Sequence, residues 1–277
     1  MHVDLHSHST ASDGVLTPVE LLSRAAEAGV ELFSITDHDT LAAYDELAER
    51  AASAPRRPPR VVRGVELSTS WRGRVVHVLG YGFSDEAPSL RRGIALQRAR
   101  REERARAIGE RLRRRGIEGA FEGAMAIAGQ ASIGRPHFAR FLVDAGIARS
   151  ADDAFHRWLG DHQMGGVAAE WASLGDAVEW IAADGGAAVL AHPAKYQLTH
   201  TRLRELLGDF AACGGAALEV LCGRQPPSTI EELARAGTRF GLAGSVGSDF
   251  HGPEAWAPAP GVARVPALGL PMLWERW

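Results

Sequence analysis

The sequence predicts an α/β fold, a seven-stranded (β/α)7 barrel into which a helical subdomain is inserted. Three observations lead to this prediction. Strand-like apolar runs alternate with amphipathic helices through most of the chain, which is typical of a parallel sheet. The alternation stops over one long interval that contains only helical patterns. A histidine or carboxylate stands at the end of nearly every strand, and in a barrel those ends meet at one mouth.

Length and composition are those of an ordinary globular enzyme. The chain has 277 residues, 45% apolar and 23% charged, and single α/β barrels often have about 250 residues. It contains no apolar run long enough to span a membrane and no signal-peptide pattern at its start, so we expect no membrane association and a cytoplasmic location. A net charge of −3 excludes a polycation that coats nucleic acid. Two cysteines do not indicate a disulfide framework.

The first half of the barrel begins with a strand over residues 2–6 and a polar turn. A helix start follows, because Thr17 can cap the helix, Pro18 suits its first position and Glu20 completes a capping box. Gly29 ends that helix. The next predicted elements are a strand over 31–36, a helix over 41–52, a proline-rich loop over 53–60 and strands over 60–66 and 74–80.

The second half begins after the helical interval. We predict an insertion over residues 88–171, so that residues 1–87 and 172–277 form the barrel. Helices over 176–183, 202–213 and 230–236 alternate with strands over 187–191, 217–221 and 242–247, and the tail from Pro253 is a loop that returns to the barrel. Arginines crowd the interval from Arg91 to Arg115. They predict either a solvated, salt-bridged helix or a basic wall for phosphate or RNA.

Histidines and carboxylates recur at the predicted strand ends. His6 and His8 are two residues apart, so they point to the same side of an extended chain and can bind one metal together. The other members of this set are His38, Glu66, His77, His192, Asp249 and His251. A single histidine at such a position is usually structural, but the recurrence is hard to explain by chance. Imidazole and carboxylate together suit Zn, Mn or Fe.

Two metals about 3.5–4 Å apart would stabilise both the entering and the leaving oxygen of an in-line displacement. They also lower the pKa of a bound water towards ~7. The pattern therefore predicts a metal-dependent hydrolase.

Several motifs resemble those of the PHP (polymerase and histidinol phosphatase) superfamily. They are DLHSHSTASDG, TDHDT, GVE, HVLGYG, AHP and GSDFHG. Their spacing is similar to that of the bacterial 3′,5′-nucleoside bisphosphate phosphatases, some of which act as 5′-to-3′ exoribonucleases (RNase AM). The helical insertion of that subgroup carries an Arg-x-His motif, matched here by GRPHFARFL. The resemblance covers almost the whole chain and implies a distorted seven-stranded barrel that binds two or three divalent metals.

The resemblance also implies a role for individual residues. His6, His8, Glu66 and Asp249 would hold one metal. Glu66 would bridge to a second, completed by His77 and His137. Asp13, His38, His192 and His251 would hold a third. His192 or His251 would protonate the leaving oxygen.

Five residues are expected to contact the substrate. Arg135 would capture a phosphate, because its planar fork suits bidentate binding. His137 follows it in the same motif. Lys195, Tyr196 and Glu219 lie close enough in sequence to strand ends to reach substrate, although a structural role is equally compatible with the sequence.

The implied reaction removes the 3′-phosphate from a 3′,5′-bisphosphonucleotide, or releases nucleotides from the 5′ end of a short RNA. Both require recognition of a 5′-phosphate and cleavage at the adjacent 3′ oxygen. Alternatives are a histidinol-phosphate phosphatase, a metal-dependent amide hydrolase and a non-catalytic binding module with structural metals. The helical insertion disfavours the first, and the nearly complete set of candidate ligands disfavours the last. The oligomeric state is not predicted.

Overall fold

The strands of the chain lie in two sheets. The computed structural model describes residues 1–50, 55, 57–160, 163, 166–252, 259–261 and 269–277. A parallel three-stranded sheet has the order β1-β2-β3, and a mixed six-stranded sheet has the order β6-β4-β5-β7-β8-β9. The strands are β1 (Val3–Asp4), β2 (Leu32–Phe33), β3 (Arg60–Val61), β4 (Gly64–Trp71), β5 (Arg74–Tyr81), β6 (Ala172–Ser173), β7 (Ala187–Leu190), β8 (Ala217–Cys222) and β9 (Ala243–Gly247).

Helices connect most of these strands. They are α1 (Pro18–Glu27), α2 (Ala42–Glu49), α3 (Pro88–Arg113), α4 (Ala120–Ala128), α5 (Arg135–Asp144), α6 (Ala151–Ala154), α7 (Leu174–Ala183), α8 (His200–Ala212) and α9 (Pro227–Phe240). Thr17 caps α1 through the predicted capping box with Glu20. Among the described helices, none has both the length and the apolar character needed to cross a membrane.

The α/β class is confirmed, but a closed seven-stranded barrel is not. Backbone bonds do link the two sheets where their strands continue as loops: the Leu5 amide donates to the Val246 carbonyl (3.1 Å) and the Asp39 amide to the Glu66 carbonyl (2.9 Å). Among the described residues, the bridges that join the sheets, Ser7 with Phe250 and His38 with Glu66, are isolated and not part of a continuous ladder. The sheets therefore meet edge to edge without forming one uninterrupted barrel.

The predicted parallel order is wrong around β5. This strand pairs antiparallel with both β4 and β7. Only Arg72 and Gly73 connect β4 to β5, and both have positive φ (46° and 77°). A two-residue loop of this kind makes a tight hairpin, whereas a parallel connection needs a dozen or more residues.

The strand predicted over 60–66 is two strands. The chain leaves β3 at Val61 and enters β4, in the other sheet, at Gly64. The Tyr44 hydroxyl accepts a bond from the Gly64 amide (2.7 Å) and donates to the Ile35 carbonyl (2.6 Å), which fixes this crossing. Short strand β6 was not predicted. The end of the helix predicted over 41–52, most of the loop over 53–60 and most of the tail from Pro253 lie outside the described residues.

The described part of 88–171 contains helices and no strand. Two apolar clusters fill the molecule. One packs the sheets against α1, α2 and α7–α9. The other lies among α3–α6, around Leu112, Phe138 and Leu142. Buried Arg101 of α3 connects this helical segment to the sheets, because it pairs with Asp39 (2.6 Å) and bonds to Ser68 (2.8 Å).

Candidate metal centre

The candidate site lies where the two sheets meet. The segments that follow β1 and β9 pair there, since the Asp249 amide donates to the His6 carbonyl and the His8 amide to the Phe250 carbonyl (both 2.8 Å). The segment after β2 pairs with the start of β4 in the same region. Residues distant in sequence are thus brought together by backbone hydrogen bonds.

A single buried carboxylate, Glu66, forms the middle of the site. Its Oε2 lies 3.2 Å from a nitrogen of each of three imidazoles, and its Oε1 lies 2.8 and 2.9 Å from nitrogens of two more. These are His6, His8 and His38 for Oε2, and His77 and His192 for Oε1. One carboxylate is therefore placed to bridge several cations.

Two further carboxylates border this group. Asp249 Oδ1 lies 3.3 Å from His6 Nε2 and 3.2 Å from His8 Nε2. Asp13 lies on the other side of His8, with its oxygens 3.7 Å from His8 and from His38 and 3.5 Å from His251. The ASDG turn thus delivers a ligand-type side chain to the site.

The arrangement fits divalent metals. His6 Nε2 and His8 Nε2 face each other at 3.1 Å, and the buried Nδ1 atoms of His8 and His192 have no hydrogen-bond partner. Buried polar atoms are normally paired, because leaving them unpaired is costly. Coordination would satisfy these lone pairs, and a set of nitrogen and carboxylate donors suits Zn, Mn or Fe.

Burial and neighbouring charges shift the pKa values of several candidate ligands. Burial raises the pKa of Glu66, but His38, His6 and His77 outweigh it and hold this pKa well below the usual value. Burial lowers the pKa of His38 well below 6.5 and also lowers that of His192. Neutral imidazoles keep the lone pair that a metal needs. For His6 the carboxylates of Glu219, Asp249 and Glu66 overcome burial and raise the pKa well above 6.5.

The structure groups the predicted ligands differently from the expected sets. His192 lies with His6 and Asp249, not with Asp13, His38 and His251 as expected. His192 follows β7, which pairs with β5 and β8, whereas Asp13 lies in the loop after β1. His8, Asp13, His38 and His251 form one group, and His38 also groups with Glu66 and His77.

His137 is in none of the groups found among the described residues. Its Nδ1 accepts a bond from the Gly134 amide (3.0 Å) at the start of α5. It is held near the site by the loop that carries Asp13, since the Ser12 backbone bonds to it.

Arg135 lines a cavity of about 180 Å³ together with Asp13, His38 and His77. Its guanidinium donates to the Leu159 carbonyl (3.2 Å) and lies 5.8 Å from the centre of the Phe155 ring. The helical segment thus brings a cation to the open side of the metal cluster.

The other predicted substrate contacts differ in accessibility. Lys195 is exposed and its ammonium contacts Asp249. The Tyr196 hydroxyl accepts a bond from the His77 amide (2.7 Å). Glu219 is fully buried, where its oxygens accept from His6 Nδ1–H (3.0 and 3.1 Å) and from the His192 amide (2.7 Å). Such a carboxylate fixes the tautomer of His6 and directs its Nε2 to the site.

Sequence reasoning missed several aspartates that support the site. Asp37 accepts bonds from both hydroxyls and one amide of Ser9 and Ser12 and so shapes the loop before Asp13. Asp39 pairs with Arg101. Their position on both sides of His38, in TDHDT, was the available signal.

Two candidate ligands have unusual backbone angles. His192 and Asp249 have φ values of 30° and 53°. Non-glycine residues rarely adopt this region, and such strain concentrates at functional sites. At both positions the strained residue directs its side chain into the cluster.

Comparison with known proteins identifies a family and several similar chains. The family model described as the PHP domain matches residues 4–159. A protein of Haemophilus influenzae named 5′-3′ exoribonuclease is 44% identical over 91% of this chain and 91% of its own length. A protein of Chromobacterium violaceum named 3′,5′-nucleoside bisphosphate phosphatase is 43% identical over 91% of this chain and 88% of its own.

A solved structure is similar over the whole chain. It is described as an amidohydrolase from Chromobacterium violaceum with bound sulfate and no metal. The two superpose with a TM-score of 0.89 at 40% identity, covering 100% of this chain and 95% of the other.

Proposed function

The chain belongs to the PHP domain family, and from this we propose that it is a metal-dependent phosphoesterase that cuts the 3′ phosphate ester of nucleotides bearing a 5′-phosphate. Its substrates would be 3′,5′-bisphosphonucleotides and the 5′ ends of short RNAs. The observation that carries the proposal is the set of five imidazoles around Glu66, next to a cavity lined by Arg135.

We assign the metals to the groups that the side chains form. His6, His8, Glu66, Asp249 and His192 would hold one part of a cluster, and Asp13, His38, His77 and His251 the other. Two or three ions of Mn, Zn or Fe are compatible with these donors. When bound, they supply a nucleophile at neutral pH and stabilise charge on the phosphoryl oxygens.

The protein's own groups would bind and orient the ester. Arg135 would bind the 5′-phosphate through its guanidinium fork. Lys195 and Tyr196 would face the phosphoryl group that is cut. For Glu219 we propose a positioning role in place of substrate contact, because both its oxygens are occupied by His6 and His192.

Hydrolysis requires a proton at the leaving 3′ oxygen. A water oxygen bonds to phosphorus, the P–O3′ bond breaks and the 3′ oxygen leaves as a hydroxyl. His251 donates its Nδ1–H to the Asp249 carbonyl (3.0 Å). The His251 side chain is 40% exposed, which leaves its Nε2 accessible. We assign the proton to this atom when it does not bind metal, and His192, which is buried, is the less accessible second choice.

The helical segment 88–171 would act as a cap over this chemistry. Its basic residues Arg101, Arg104 and Arg135 line the cavity beside the cluster. A cap that supplies cations would select substrates with a second phosphate, and histidinol phosphate has only one.

Phosphate release from adenosine 3′,5′-bisphosphate tests the proposal. We expect the Mn-loaded protein to release phosphate, and EDTA treatment or His38→Ala to abolish the release. His200→Ala is the matched control, because His200 is an exposed histidine on α8. Release that survives in His38→Ala would contradict the metal assignment.

A substrate panel separates the competing activities. The amidohydrolase description of the similar structure favours a second candidate, cleavage of an amide by the same metals. Activity on amides or on histidinol phosphate, with none on the bisphosphonucleotide or on 5′-phosphorylated RNA, would replace the proposed substrate.

A further inference from the structure

A second and larger cavity lies beside the site, with a volume of about 730 Å³. It is bordered by the tip of the β4–β5 hairpin, by Arg104 of α3, by residues 166–169 and by residues 195–198. It shares Val75 and Arg104 with the cavity that contains Arg135. The two cavities are therefore neighbours, and we call the larger one the basic cleft.

The charge of the basic cleft is one-sided. Arg72, Arg74, Arg104 and Lys195 line it, and no carboxylate is among its described lining residues. Arg72 is compensated by Glu205 and Asp209 (2.6 and 3.0 Å), so the argument does not depend on it. Arg74 is exposed at the start of β5, which leaves a cation at the outer end of the cleft.

The inner end of the basic cleft reaches the metal cluster. Tyr196 contributes to the cleft wall, and its ring centre lies 5.3 Å from that of His192. Lys195 contacts Asp249 from the same wall. A chain that lies in the cleft can therefore place one of its phosphates at the cluster.

We propose that the basic cleft binds the ribonucleotide chain on the 3′ side of the bond that is cut. This inference rests on the proposed function and deepens it, because it assigns a binding surface to the part of an RNA substrate that follows the cut bond. Cavities for nucleotide-sized ligands have about 300–1,000 Å³. A phosphate backbone repeats its negative charge at each nucleotide, which matches the guanidinium groups of Arg104 and Arg74 along the cleft. A 3′,5′-bisphosphonucleotide has no further nucleotide to occupy the cleft.

A charge reversal at the outer end tests this inference. We compare Mn-loaded wild type and Arg74→Glu on a 5′-phosphorylated RNA pentanucleotide and on adenosine 3′,5′-bisphosphate. We expect kcat/KM for the pentanucleotide to fall about tenfold or more. The slope of log(kcat/KM) against the logarithm of the salt concentration should become less negative by about 0.7 for each lost phosphate contact. The bisphosphonucleotide should be cut equally well by both proteins. Arg235→Glu on α9, outside both cavities, is the matched control.

Binding provides a second readout that does not need catalysis. A cleavage-resistant phosphorothioate pentanucleotide should bind Arg74→Glu more weakly than wild type or Arg235→Glu, by fluorescence anisotropy. Equal binding by all three proteins, or equal losses on both substrates, would overturn the inference. If wild type cuts neither substrate, the proposed function fails, while the binding comparison still decides the cleft.

Discussion

At the scale of the residue, Glu219 leads to a prediction about metal binding. It receives the Nδ1 proton of His6 and so leaves Nε2 facing Glu66. We expect Glu219→Gln to keep the shape but remove the charge, and to weaken metal binding about 10- to 100-fold. Competition with a fluorescent chelator measures this. Glu232→Gln on α9, far less buried, should bind metal as wild type does, and equal affinity in both variants would refute the positioning role.

Arg135 gives a prediction about substrate choice. If its fork binds the 5′-phosphate, Arg135→Ala should lower kcat/KM for adenosine 3′,5′-bisphosphate about 10- to 100-fold, the worth of a charge-assisted contact. Adenosine 3′-phosphate lacks that group, so its slower hydrolysis should not change. Arg140→Ala, on the exposed face of the same helix, controls for the loss of a positive charge. Equal losses on the two nucleotides would place Arg135 elsewhere in the mechanism.

The candidate metal ligands are easier to predict than the residues that support them. His6, His8 and His38 stand in motifs whose spacing already brings them to strand ends. Arg101 stands in an arginine-rich helix, and nothing local distinguishes it from its neighbours. It is buried against Asp39, which is far away in sequence, so its role appears only when both partners are placed.

At the scale of the element, β9 approaches the segment after β1 so closely that only glycine fits. A Cβ at Gly247 would lie 2.2 Å from His6 Cβ and 2.7 Å from the His6 amide nitrogen. We expect Gly247→Ala to lower the free energy of unfolding by about 1–3 kcal/mol, as overpacking does, and to weaken metal binding by moving His6. Urea unfolding measures the first effect.

Gly208→Ala is the matched control for this change. Gly208 lies within α8, and an added Cβ would meet Phe240 at an ordinary 3.4 Å. Alanine is favoured over glycine inside a helix by about 1 kcal/mol, so this variant should be as stable as wild type or more so. Equal destabilisation of both variants would contradict the close approach.

Strand direction was the element-level property that the sequence analysis did not predict correctly. Alternation with helices indicates parallel strands, and it holds for β7, β8 and β9. The hairpin at Arg72 and Gly73 breaks the rule. The sequence signal for this hairpin is WRGR, where a glycine lies between two apolar strands. This segment is short, whereas the alternation of strands and helices extends over most of the chain.

At the scale of the whole molecule, the candidate metal site lies where the two sheets meet. Its side chains come from β4, β5 and the segments after β1, β2, β7 and β9, and the sheets are otherwise joined there by isolated bridges. The sequence predicted which side chains converge, because the carboxyl ends of the strands of a barrel lie at the same end of the barrel. It could not predict that convergence occurs between two sheets, since that depends on pairing between distant segments.

From this arrangement we predict that bound metal stabilises the fold. An ion that binds only the folded state at 100 times its Kd adds about 2.7 kcal/mol, which for a chain of this size raises Tm by about 5–10 °C per site. We expect Mn or Zn to raise the Tm of EDTA-treated protein by this amount, measured by differential scanning calorimetry. Calcium, which prefers oxygen ligands, should raise it less.

Glu66→Gln decides whether that shift comes from the site. Its amide preserves the packing but removes the charge that lies among five imidazoles, so the metal-dependent rise in Tm should shrink to a fraction of the wild-type value. The comparison uses the shift and not Tm itself, because the substitution also changes the metal-free protein. An undiminished shift would mean that the stabilising metal binds elsewhere and that the sheets do not depend on this centre.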